Sequence, residues 1–198
     1  MSRFTKKRKE HIGLSPYALV FRGQKKTDKI LLQAMDFDLE SVRELEVKTK
    51  EGLVSLKNSK TLSWLNIYGL DNVETMEELA QVFAIDDNIL SDVMNPSLRP
   101  KVQEFENGLF CTIKLLQYND KDDTLSVENL SLIITENTLI SFQELSVHMF
   151  DPIRERIRKH KNKIRTAGSD YLAFALLDVV VDNYIYVIGQ LSRSEEHT

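Results

Sequence analysis

Two adjoining stretches near the C-terminal end decide how the chain folds: Asp151–Arg165 (DPIRERIRKHKNKIR) and Tyr171–Tyr184 (YLAFALLDVVVDNY). The aspartate and proline that open the first stretch are typical of a helix start, and we expect this helix to end near its last arginine. The second stretch predicts a helix that is apolar on nearly every side, interrupted by Asp178 and Asp182 one turn apart. Such a helix must be covered by the rest of the domain or by another copy of it.

The first of these stretches is basic, although the protein is acidic. Seven Lys or Arg residues lie between Arg154 and Arg165 against one glutamate, whereas the whole chain carries a net charge of −4. A basic helix of this kind indicates a solvated face or a surface that pairs with an acidic partner. The interleaved aromatic and glycine residues of RNA-binding motifs are missing, so we expect no nucleic-acid partner.

The composition is that of an ordinary soluble globular protein. The chain has 198 residues, of which 42% are hydrophobic and 28% charged, enough for one large domain or two small ones. The single cysteine, Cys111, excludes an internal disulfide framework. No uninterrupted apolar run reaches the roughly 18 to 20 residues of a membrane helix, so we expect the chain as given not to span a bilayer.

The middle of the chain predicts an α/β domain with a sheet of about six or seven strands. Amphipathic periodicity predicts helices at 73–84 and 88–94, and 41–46 reads as a short helix or loop. Alternating and β-branched segments predict strands at 17–21, 29–36, 61–68, 101–105, 108–116, 125–134 and 138–143.

Three aspartates are candidate ligands for a hard cation. Asp178 and Asp182 present two carboxylates on one helix face, which supplies part of a magnesium site, and Asp92 could belong to a second element of it. The alternative is a polar stripe on a packed helix, in which each buried carboxylate needs a partner.

Other site chemistries find no support in the sequence. The acidic loop 119–123 lacks the glycine and closing glutamate of an EF-hand, and the four histidines show no zinc-ligand spacing. No dinucleotide, P-loop or serine-hydrolase motif occurs, and no nucleophile and base are paired. We therefore expect a protein that is not an enzyme.

Several motifs together resemble the N-terminal cytoplasmic domain of CorA-type magnesium transporters, in the same order, from about Tyr17 to Gln190. The matching segments are Trp64–Leu70, Ile89–Asn95, Arg99–Val102, Ser141–Glu144, Phe150–Arg158, Asp170–Leu172 and Leu177–Tyr184. The resemblance implies an α/β/α sandwich with a mixed sheet, followed by the start of a long C-terminal stalk helix.

The resemblance also implies an organisation for the chain. We expect a flexible basic arm at 1–14, the α/β core at 15–149, a helical hairpin leading into the stalk at 150–192, and a foreign tail at 193–198. Relatives of this type are homopentameric channels with two membrane helices after the stalk. This sequence contains neither those helices nor their Gly-Met-Asn signature. The resemblance thus implies a regulatory domain on the cytoplasmic side of the cell membrane.

The resemblance assigns roles to the three aspartates. Asp92 takes the place of an aspartate that binds magnesium between neighbouring protomers, Asp178 that of a second-site carboxylate, and Asp182 is a weaker candidate. Ser91 stands where relatives often carry glutamate, which removes one ligand. Mg²⁺ is the expected ion, with Co²⁺, Ni²⁺ or Zn²⁺ as alternatives. Two alternative hypotheses remain: the equivalent domain of a related zinc or cobalt transporter, and a stand-alone acidic protein-interaction domain.

Overall fold

The computed structural model describes residues 19–21, 30–120, 122–145, 148–160 and 163–196, and these contain seven strands and five α-helices. The strands are β1 (Leu31–Phe37), β2 (Val42–Glu46), β3 (Leu62–Tyr68), β4 (Lys101–Phe105), β5 (Gly108–Asn119), β6 (Thr124–Ile134) and β7 (Thr138–Gln143). The helices are α1 (Lys50–Lys57), α2 (Val73–Phe83), α3 (Asp87–Val93), α4 (Asp151–Arg158) and α5 (Gly168–Glu196). A short 3-10 turn at His148–Phe150 leads into α4.

All seven strands form one mixed sheet in the order β2-β1-β3-β7-β6-β5-β4. Neighbouring strands are antiparallel, except that β3 and β7 pair in parallel in the middle of the sheet. Trp64 pairs with Leu139, and Asn66 with Ser141, in this parallel ladder. The sheet therefore consists of two antiparallel halves that are joined by one parallel pair.

Helices cover both faces of the sheet, so the fold is the α/β/α sandwich that the resemblance implied. On one face, α1, α2 and α3 pack on sheet residues such as Leu65 and Phe142. On the other face, α4 and α5 pack on residues such as Trp64 and Leu139. Because adjacent strand residues point to opposite faces, β3 and β7 contribute to both cores at once.

Two local predictions in the N-terminal half are wrong. Residues 19–21 have no regular structure, and the rest of the strand expected at 17–21 lies outside the described residues. The segment 41–46 is not a helix or loop but the edge strand β2, which pairs with β1. The sequence of β2 does not show the alternation of apolar and polar residues that predicts a strand, because an edge strand tolerates charges on both faces. Helix α1 was not predicted; Thr49 caps it, and it buries Leu53 and Leu56.

The basic stretch forms a shorter helix than its sequence predicts. Helix α4 ends at Arg158, and His160 then adopts a left-handed backbone conformation with φ of 50°. Arg165 folds back and donates hydrogen bonds to the carbonyls of Ile157 and Arg158, at 2.6 and 2.9 Å. The carbonyl of Ile157 also accepts a hydrogen bond from the amide of His160, so Arg165 adds a second donor there and pairs the carbonyl of Arg158 at the helix end. The next helix, α5, begins at Gly168 and runs well past Tyr184.

A buried carboxylate joins β1 to β2, to β3 and to the segment before β3. Asp36 accepts hydrogen bonds from Arg43 and from the hydroxyls of Ser59, Thr61 and Ser63. Burial raises the pKa of Asp36, but these four hydrogen bonds together outweigh it and hold the pKa below its usual value. The ionised carboxylate is therefore the form that stabilises the fold.

We expect Asp36→Asn to lower the free energy of unfolding at neutral pH by about 1–3 kcal/mol, because its donors lose a charged acceptor. A carboxyl whose pKa is lower in the folded state stabilises the protein above the unfolded-state pKa of about 3.9. That advantage over Asp36→Asn should disappear as the pH falls through the folded-state pKa. Urea unfolding at a series of pH values measures this difference. Glu104→Gln, an exposed change, is the control, and a difference that stays constant with pH would contradict the assignment.

Candidate metal-binding elements

Asp92 lies in the last turn of α3, where 24% of its side chain is exposed. The Nζ of Lys101, the first residue of β4, lies 2.5 Å from its Oδ2. The same ammonium donates a hydrogen bond to Oε1 of Gln103 at 2.9 Å and lies 5.7 Å from the centroid of the Phe110 ring. The carboxylate thus already binds a cation, in the form of a lysine from its own chain.

The loop between α3 and β4 is held by two polar side chains from the sheet. Lys114 donates hydrogen bonds to the carbonyls of Leu98 and Pro96, at 2.9 and 3.3 Å, and to Oδ1 of Asn129 at 2.6 Å. Asn129 in turn donates to the carbonyl of Asn95 at 3.0 Å. Burial lowers the pKa of Lys114. These contacts fix the approach of β4, and with it the position of Lys101 beside Asp92.

Asp178 and Asp182 lie one turn apart on the exposed side of α5. The opposite side of this helix packs on the sheet through Leu172, Leu176 and Val180, and Val187 is buried farther along. The pair is therefore a solvated feature of the helix, which agrees with a polar stripe on a packed helix and leaves the role of the pair as a prediction. Both carboxylates are free of the desolvation that a buried charge would suffer.

Helix α5 is tied to β5 by two side chains that follow Asp182. Asn183 donates a hydrogen bond to the carbonyl of Leu116 at 2.7 Å, and the hydroxyl of Tyr184 donates one to the carbonyl of Lys114. Both carbonyls lie on β5, so the position and rotation of α5 over the sheet are set at this point. The two aspartates are consequently held on the outer side.

The outer side of α5 is also apolar. Phe174, Val181, Ile185 and Ile188 are each more than half exposed, and they follow one another at spacings of seven, four and three residues. This spacing places them in one stripe together with Asp178, as in a helix that packs against another helix. Within the described residues, 168–193 is also long and apolar enough to cross a membrane, with 33% of its most apolar window buried in the domain. The buried core helices of soluble proteins can be equally long and apolar, so this property alone does not identify a membrane helix.

The structure places the three candidate aspartates on two elements. Asp92 belongs to α3, on the first face of the sheet, and Asp178 and Asp182 belong to α5, on the second. Among the residues that the structure describes, no group of three or more His, Cys, Asp or Glu side chains lies close enough to hold a metal ion. Within the described part of the chain, the three candidate aspartates are therefore not brought together into one site.

Sequence reasoning missed the contacts of the basic helix α4. The guanidinium of Arg154 lies 4.9 Å from the centroid of the Trp64 ring and donates to the hydroxyl of Tyr68 at 2.7 Å. Arg158 binds both carboxylate oxygens of Glu44, at 2.6 and 2.7 Å. These arginines are therefore committed to contacts within the domain. The helical spacing carries no signal of them, because their partners lie on distant strands.

We expect Lys114→Met to loosen the loop between α3 and β4, because it removes three hydrogen bonds of a partly buried ammonium. The cost is about 1–3 kcal/mol of the free energy of unfolding. Amide hydrogen exchange should accelerate at Ser97 and Leu98, whose amides bond to Asn95 within this loop. Lys57→Met at an exposed site is the control. Unchanged exchange in the loop would show that Lys114 does not hold it.

Comparison with known proteins agrees with this fold. The chain matches the soluble domain of CorA from Methanocaldococcus jannaschii with a TM-score of 0.60 and 17% identity, covering 85% of this chain and 62% of that one. It is 34% identical over 179 residues to the cobalt/magnesium transport protein CorA of Thermotoga maritima, which is 90% of this chain and 51% of that protein. It is 25% identical over 120 residues to the magnesium transporter ALR1 of Saccharomyces cerevisiae, which is 60% of this chain and 14% of that protein.

The fold is thus that of the soluble domain of a cation transporter. The sequence profile described as CorA-like Mg²⁺ transporter protein matches residues 59–198, and the chain belongs to this family. It spans about half of the length of its Thermotoga relative.

Proposed function

We propose that this domain is the cytoplasmic cation-sensing domain of a CorA-like magnesium channel, and that it responds to Mg²⁺ bound between neighbouring copies. It acts by binding and not by catalysis. Its place is the cytoplasmic side of the cell membrane, and the transport step belongs to membrane helices beyond this sequence.

The observation that carries the proposal is the state of Asp92. Its carboxylate is partly buried, is held at the end of α3 by a fixed loop, and lies against a positive charge. One carboxylate cannot complete the octahedral oxygen shell of Mg²⁺, which one or two carboxylates and several waters commonly fill. The remaining ligands therefore come from water and from a neighbouring copy or a more distant part of the chain.

The outer side of α5 supports an interface at the second pair of carboxylates. Asp178 lies within the exposed apolar stripe, and Asp182 lies one turn farther along the helix. An apolar stripe of this kind is stable when another helix covers it. A carboxylate in that stripe is then neutralised if a cation joins it. A ring of identical copies would satisfy this need in every protomer, and the family resemblance favours five.

Electrostatics links cation binding to closure of such an interface. Carboxylates that face each other between two copies repel until a dication neutralises them. Ion binding and closure therefore favour each other by the same free energy, which is the property of a sensor. When the cation is plentiful the interface closes, and when the cation is scarce the repulsion opens it.

The ligand type favours Mg²⁺ over softer ions. All three aspartates offer carboxylate oxygens, which suit Mg²⁺, whereas Zn²⁺ prefers histidine nitrogen and cysteine sulfur. In the general order of affinities, Co²⁺ and Ni²⁺ bind a given site more tightly than Mn²⁺ does. They are therefore the ions to compare with Mg²⁺ as competitors for these carboxylates. The Thermotoga relative is described as a cobalt/magnesium transport protein, which supports Mg²⁺ as the ion and Co²⁺ as a competitor.

We expect millimolar Mg²⁺ to promote association of this domain, and Asp92→Ala to abolish that effect, because the interfacial ion loses its fixed ligand. Sedimentation velocity with and without Mg²⁺ measures the association. Asp87→Ala, which removes a carboxylate from the first turn of the same helix, is the matched control and should respond like the wild type.

Association that Asp92→Ala leaves intact would contradict the role of Asp92. If association persists there and is lost in Asp178→Asn, the cation site belongs to α5 alone. Repeating the titration with Co²⁺, Ni²⁺ and Zn²⁺ ranks the ions.

A further inference from the structure

We propose that Lys101 is a built-in competitor of the divalent cation at Asp92, and that it sets the cation concentration at which the domain responds. This inference rests on the proposed function, in that Asp92 is taken as the cation ligand. What it adds is a second residue, which binds no cation but decides how readily Asp92 does.

The geometry gives Lys101 the place of the ion. Its ammonium lies 2.5 Å from Oδ2 of Asp92, so a cation that approaches this oxygen must displace it. The two residues are nine positions apart, on α3 and β4, and the loop between them is held by Lys114 and Asn129. The pair is thus already in place before any ion arrives, and forming it costs little further ordering.

Displacement of the ammonium is easy, because Lys101 has other partners. Gln103 accepts a hydrogen bond from the same Nζ at 2.9 Å, and the face of Phe110 lies 5.7 Å away. With 35% of its side chain exposed, the ammonium can also turn into water. When a dication takes the carboxylate, Lys101 therefore retains favourable contacts. The two residues therefore form a weak ion pair that a dication can displace, and not a permanent salt bridge.

The charges of the competing ions explain how this displaceable ion pair affects cation binding at Asp92. With Lys101 in place, the charge of the Asp92 carboxylate is only partly compensated, because the pair is open to water, and a dication must displace the ammonium before it binds. A dication can replace the lysine because it carries twice the charge, whereas a monovalent ion carries no more charge than the ammonium and is not tethered beside the site. Lys101 therefore raises the concentration of divalent cation that half-saturates Asp92, and it excludes monovalent ions.

The test is a titration of this domain with Mn²⁺, a hard dication that accepts carboxylate oxygens and broadens nearby amide signals in NMR spectra. The readout is the Mn²⁺ concentration that broadens the amides of Asp92 and its neighbours by half. It requires neither association nor transport. We expect Lys101→Met, which retains most of the apolar stem, to lower this concentration about three- to tenfold, in line with the loss of a partly exposed ion pair.

Three variants are the controls. Lys101→Arg retains the charge and should respond like the wild type. Lys48→Met removes a lysine from an exposed ion pair with Glu46, so it changes the net charge by the same amount and should leave the titration unchanged. Asp92→Asn should remove the broadening at this site. If Lys101→Met does not give a folded spectrum, Lys101→Gln is measured in its place, with the same expectation.

Two different failures can be told apart. If Asp92→Asn removes the broadening but neither neutral variant of Lys101 changes the half-saturating concentration, the competition proposed for Lys101 is overturned and the role of Asp92 stands. If the wild type shows no broadening near Asp92, the proposed function fails, and the inference fails with it. If Lys101→Met and Lys48→Met lower the half-saturating Mn²⁺ concentration equally, the effect comes from the net charge of the domain. That result would also overturn the competition proposed for Lys101.

Discussion

The rest of the structure depends on the parallel pairing of β3 with β7. This pair joins the two antiparallel halves of the sheet, and its residues are buried from both faces. A short polar chain runs across it, in which Nε1 of Trp64 donates to Oγ of Ser141 at 3.1 Å, and that hydroxyl donates to Oδ1 of Asn66 at 2.8 Å. A slip of one residue would leave these buried groups unpaired and turn both cores inside out, so the register is strongly determined.

The two elements that carry the candidate carboxylates are both fastened to one residue of β5. The side chain of Lys114 holds the loop that follows α3, and its backbone carbonyl accepts the hydroxyl of Tyr184 from α5. A shift of this strand would therefore move the loop beside Asp92 and the helix that carries Asp178 together. The sheet gives both elements a common rigid support, which a binding site made of separate elements requires.

Much of the fold was predictable because its signals are local. The strands from Leu62 to Gln143 alternate or are continuously apolar, and α2 shows clear helical periodicity, so these elements were placed within a few residues. The wrong or missing predictions of secondary structure share one cause. The edge strand β2 and the short helix α1 bury few side chains, and α4 ends early because Arg165 returns to its C-terminus. Each depends on contacts with other elements, which local periodicity does not carry.

The sequence by itself determined the family and the mixed α/β architecture and made the three aspartates candidates, because periodicity and motif order are properties of neighbouring residues. Only the tertiary structure decided that Asp92 is paired with Lys101, that Arg154 stacks on Trp64, and that Asp178 lies in an exposed apolar stripe. These facts join residues from different elements. Their geometry follows from how helices and strands pack, and packing is settled by the whole core at once.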